Sequence, residues 1–130
     1  MTYTEQELQK ISDNLHLIEE YLRNFSKQIP ERNAIQADFG KTKAYAGKYY
    51  PEPEHSIYVR ANGDITFRTG GLYLGFSDET KGDNNDSIYT KGRLSYGVPI
   101  ILHWQEIKAR LNTQLADLVK ELDAINNFQI

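Results

Sequence analysis

Leu8, Ile11, Leu15, Ile18, Leu22, Phe25 and Ile29 follow one another at alternating steps of three and four residues. A seam of that period commits the start of the chain to an amphipathic helix, because a turn of about 3.6 residues brings all of these side chains onto one face. Thr4 followed by Glu7 reads as a capping box, in which the hydroxyl accepts from a free N–H of the first turn. Pro30 ends the helix, since it has no N–H and disfavours helical geometry just before it. The predicted helix covers 4–29.

A second stripe closes the chain: Ile100, Trp104, Ile107, Leu111, Leu115, Leu118, Leu122 and Ile125. It predicts a helix over 99–127, with Pro99 at the first helical position, where it is well tolerated. Each helix would be roughly 40 Å long at about 1.5 Å per residue. Both stripes need cover, from each other, from the segment between them or from a second copy. A homodimer or higher oligomer through the terminal helices is therefore an expectation.

The region 34–98 is β-like, and its turns fix the register. A two-residue turn at Asn62-Gly63 would oppose Arg60 to Ile65 and mix charge with grease. A three-residue loop, Ala61-Asn62-Gly63, opposes Val59 to Ile65 and Ile57 to Phe67, and puts glycine where this loop class needs a left-handed residue. Gly70-Gly71 as a two-residue turn opposes Phe67 to Leu74, Arg68 to Tyr73 and Ile65 to Phe76. A third hairpin is expected over Ser87–Tyr96, turning at Thr90-Lys91-Gly92. Lys41 to Tyr50 has a weaker strand pattern, which Pro51 and Pro53 would end. The fold class that follows is α+β: one domain over 1–130, an antiparallel meander of about four to six strands flanked by long N- and C-terminal helices.

In this register one face carries Ile57, Val59, Ile65, Phe67, Leu72, Leu74, Phe76, Ile88 and Leu94. The other carries Tyr58, Arg60, Thr66, Arg68, Tyr73, Tyr89, Arg93 and Ser95. The second set is the candidate functional surface. Tyrosine and arginine are over-represented among residues that dominate binding energy, and arginine offers a planar fork for carboxylate or phosphate. Three arginines and no acid in that set predict attraction for an anionic group.

The charge balance limits the partner. With 15 Lys+Arg and 18 Asp+Glu the net charge is 15 − 18 = −3, and pI is about 5.6. Long nucleic acid is disfavoured by that balance. There are no cysteines, which removes disulfides and thiolate metal sites. No apolar run is long enough for a membrane span. Met1 to Glu5 show no basic or apolar leader region, so the expected location is cytoplasmic.

Motifs for chemistry are sparse. His16 lies beside the first seam, His55 follows Pro51-Glu52-Pro53-Glu54 in an expected turn, and His103 with Glu106 forms an i, i+3 pair. None has metal-ligand spacing, and the polar loop Ser77–Asp86 lacks the oxygen ladder of an EF-hand. No cofactor and no metal are expected. The leading expectation is a non-catalytic binding protein that engages an acidic protein partner through the Tyr/Arg face. It would act as an inhibitor, immunity factor or adaptor of bacterial, phage or mobile-element type. One alternative is sequestration of a small anionic ligand such as a nucleotide. Another is an enzyme using His103 and Glu106.

Overall fold

The computed structural model describes residues 2–43, 52–76 and 85–127. Helix α1 (Glu5–Ser26) opens on the expected capping box, Thr4 Oγ1 accepting from Glu7 N at 3.1 Å and Thr4 N donating to Glu7 Oε1 at 3.0 Å. Five strands follow: β1 (Ala34–Lys43), β2 (Glu52–Arg60), β3 (Ile65–Thr69), β4 (Leu72–Gly75) and β5 (Asn85–Ser87). A 3-10 helix (Lys91–Gly97), a short α2 (Val98–Leu102) and α3 (Trp104–Asn126) complete the chain.

The sheet order is β1-β2-β3-β4-β5. The first four strands are antiparallel, with Val59 opposite Ile65, Ile57 opposite Phe67, and Phe67 opposite Leu74. Gly63 takes φ +93° and Gly70 φ +58°, the left-handed backbone that both predicted turns require. Ile57, Val59, Ile65, Phe67, Leu74 and Phe76 are fully buried, and Leu72 is half-buried. They share one core with Leu15, Leu22, Phe25 and Ile29 of the first seam and with Ile100, Ile107, Leu111 and Leu115 of the second. Each such side chain contributes about 1.5–3 kcal/mol by leaving water. The first seam thus packs within its own chain from Leu15 onward. The last turns of α3 run past the core, where Val119 is 39% and Ile125 67% exposed.

Four expectations are corrected. The Ser87–Tyr96 hairpin does not form: β5 pairs parallel to β4, and the chain then winds into the 3-10 helix. Ile88 and Leu94 are six residues apart, a spacing that serves a period of three as well as a period of two. Gly97 matters here, because a Cβ would stand 2.6 Å from Leu15 Cδ1 and 3.1 Å from Ile88 Cδ1, so its absence lets the 3-10 helix lie against α1. The second helix is broken at His103 (φ −105°, ψ 17°), which closes α2 and opens α3. The strand expected from Lys41 begins earlier, where Ile35, Ala37 and Phe39 alternate into the core, and residues 44–50 lie outside the described residues. Pro53 stands inside β2, on the stretch beyond the end of β3 that only β1 pairs with. Most of the Ser77–Asp86 loop also lies outside the described residues.

Candidate functional site

The face opposite the core is built in rows by the register. Gln36, Tyr58, Thr66 and Gly75 stand side by side; Asp38, Ser56, Arg68 and Tyr73 form the next row; Ala34 and Arg60 lie beyond Tyr58 on the other side. Of the predicted set, Tyr58, Arg60, Thr66, Arg68 and Tyr73 are therefore on one surface. Tyr73 is 40% exposed and Arg60 is exposed, while Tyr58, Thr66 and Arg68 are half-buried. Arg60 is four residues along β2 from the row of Arg68, roughly 13 Å at about 3.3 Å per residue.

Tyr89, Arg93 and Ser95 are not on that face. Arg93 and Ser95 belong to the 3-10 helix. Tyr89 turns to α1, where its hydroxyl donates to Glu19 Oε2 at 2.7 Å and reaches Leu15 O at 3.2 Å, and its ring stacks on His16 at 4.1 Å. Burial, reinforced by the Glu19 carboxylate, holds the Tyr89 phenol protonated well above its ordinary range. This residue is a clamp between the segment after β5 and α1.

The expectation of an acid-free face is also overturned. Asp38 lies on it, brought there by β1, and Glu52 and Glu54 fall on the same side of β2. A polar relay crosses three strands: Arg68 Nη2 donates to Ser56 Oγ at 3.0 Å, Ser56 Oγ donates to Asp38 Oδ1 at 2.6 Å, and Gln36 Nε2 donates to the same oxygen at 2.8 Å. Ser56 is fully buried in this relay. Single-strand alternation does not reveal Asp38 and Ser56 as partners, because their contact depends on the pairing of β1 with β2.

What distinguishes the arginines is what they lack. Two acids of this face have local partners, Asp38 accepting from Ser56 and Gln36 and Glu54 lying 2.7 Å from His55 Nε2, while Glu52 has none among the described residues. Among the described residues neither Arg60 nor Arg68 forms an ion pair with a carboxylate. Each lines an open depression. Arg60 shares one of about 510 Å³ with Ile29, Glu31, Arg32 and Asn33; Arg68 shares one of about 760 Å³ with Glu52, Glu54, His55 and Tyr96.

The expected His103–Glu106 pair forms, whereas His55 departs from its expected turn. His55 is not in a turn but inside β2, 6% exposed, with Nδ1 2.9 Å from Thr69 Oγ1 and its ring 5.2 Å from Phe39 and 5.7 Å from Phe67. His103 Nδ1 lies 3.2 Å from Glu106 Oε2, while Arg110 Nη2 holds Glu106 Oε1 at 2.9 Å. Both carboxylate oxygens are thus engaged at the α2–α3 junction, which suits a structural clip. Among the described residues no group of three or more His, Cys, Asp or Glu converges to hold a metal ion, and no helix is long and apolar enough to cross a membrane.

Fold and face together describe an α+β chain with a mixed polar sheet surface of tyrosine and arginine. Comparison with known proteins adds no relative: no protein-family model, no curated protein and no solved structure matches the chain.

Proposed function

We propose that this chain is a non-catalytic binding protein whose outer sheet face engages a protein partner through surface carboxylates, in the manner of an inhibitor, immunity factor or adaptor. The observation that carries the reading is the asymmetry of the face. Asp38 and Glu54 already have local partners, whereas among the described residues the guanidinium groups of Arg60 and Arg68 pair with no carboxylate, each beside a depression that a side chain can enter. Charge-assisted, bidentate pairs are the strong ones for arginine. Tyr58 and Thr66 lie between the two sites, and Tyr73 beside Arg68 offers exposed aromatic area at low entropic cost.

A small anionic ligand such as a nucleotide fits less well. The depression at Arg68 also contains Glu52 and Glu54, whose like charges disfavour a phosphate of nearly double charge more than a single carboxylate. A protein partner instead reaches both arginines at once, across a separation beyond one phosphate group. In a capture experiment from cell extract, the double variant Arg60→Glu/Arg68→Glu is expected to lose the acidic protein that the unaltered chain retains, with circular dichroism unchanged. Retention of the same protein by the double variant would remove this face from the interface.

A further inference from the structure

The backbone of β1 has an unpaired side whose direction follows from the hairpin bonds. Arg60 N donates to Asp64 O at 3.0 Å and Arg60 O accepts from Gly63 N at 2.9 Å, so the polar groups of Arg60 face β3. Antiparallel strands alternate in this respect, so Tyr58 and Ser56 also face β3, while Val59, Ile57 and His55 face β1. Opposite those three stand Ile35, Ala37 and Phe39. Ala34, Gln36 and Asp38 therefore turn their N–H and C=O groups away from β2. Arg110 confirms the direction, its Nη1 donating to Asp38 O at 2.7 Å from the other side. Among the described residues no strand follows β1 on that side.

We infer that this edge pairs antiparallel with β1 of a second copy, about a two-fold axis through Gln36. The outward groups are symmetric about that residue. Gln36 then meets Gln36 of the second copy, and Ala34 meets Asp38, each opposed pair exchanging two backbone hydrogen bonds. No like charges oppose one another. Neither a proline nor a lysine stands between Ala34 and Asp38, and the irregularity of β1 falls beyond them, between Phe39 and Thr42. The Asp38 carbonyl has a second lone pair, so Arg110 keeps its bond. The groove beside the edge, about 310 Å³, is lined on α3 by Ala109, Arg110, Thr113 and Gln114, and the Thr113 hydroxyl is held by Ala109 O at 2.9 Å. The pairing joins two outer faces into one surface that repeats Arg60 and Arg68. It does not depend on what those arginines bind.

The test is light scattering across a concentration series. The unaltered chain is expected to pass from single-chain to double mass. Gln36→Pro removes an outward N–H that β2 does not use, so melting is expected to fall by no more than the loss of the exposed Gln36–Asp38 side-chain bond, while association weakens by about tenfold or more. Ala34→Pro serves as the second edge variant if Gln36→Pro does not fold. Ile125→Glu, on the exposed tail of α3, is expected to leave association intact. A chain that stays at single mass throughout overturns the inference. So does a dimer that survives the edge prolines or is lost with Ile125→Glu.

Discussion

Truncating Phe67 to alanine is expected to remove about 3–5 kcal/mol of stability, lowering Tm by roughly 10–20 °C. Phe67 is fully buried, opposed to Ile57 on one side and Leu74 on the other, with the Phe39 ring at 6.0 Å and the His55 ring at 5.7 Å. Those neighbours come from three other strands, so the cavity cannot close by moving one side chain. The informative control is the next residue. Thr66 points to the other face, and Thr66→Ala is expected to cost less than about 1 kcal/mol. Urea denaturation of both variants checks the pair, and similar losses would mean that the faces do not sort as the register requires.

Gly40→Ala is expected to cost about 2–4 kcal/mol, although the site lies at the periphery of the sheet. Gly40 sits where the β1–β2 register shifts between Phe39 and Thr42, with φ +84°, a conformation in which a side chain crowds its own backbone. A Cβ there would also stand 2.8 Å from His55 Cδ2 and 3.3 Å from Glu54 Cβ. The ring cannot retreat freely, since Thr69 and Glu54 hold its two nitrogens. Two other glycines separate the causes. Gly63 has φ +93° and nothing near its Cβ position, so Gly63→Ala carries backbone strain alone. Gly71 has neither feature, and Gly71→Ala is expected to fall within about 0.5 kcal/mol of the parent. Equal effects at Gly40 and Gly63 would show that the close approach to His55 contributes nothing.

Both predictions rest on features that were legible to different degrees in the linear chain. The two hairpins were readable because glycine at a fixed turn position and alternating side chains are local signals that agree. The Thr4–Glu7 cap is likewise local. The burial of His55 was not readable, since it depends on Phe39 and Phe67 arriving from two neighbouring strands. Ile88 and Leu94 misled because six residues is a multiple of both periods, and only the contact of Gly97 with Leu15 decides between them. Tyr89 and Arg93 left the predicted face for that reason. Asp38 joined it because β1 begins at Ala34, ahead of the stretch whose pattern suggested a strand. Five of the seven predicted binding residues share a surface, but its electrostatic character came from partners on a strand the local pattern had not placed.

Hydroxyl-radical footprinting of the chain, alone and bound to the protein it captures, tests the binding face most directly. Tyr58 and Tyr73 are expected to lose reactivity in the complex, while Tyr21, Leu17 and Leu102, exposed on the helices, keep theirs. Unchanged reactivity at Tyr58 and Tyr73, with protection at Tyr21 and its edge-on neighbour Trp104, would place the interface on the helices and contradict the account.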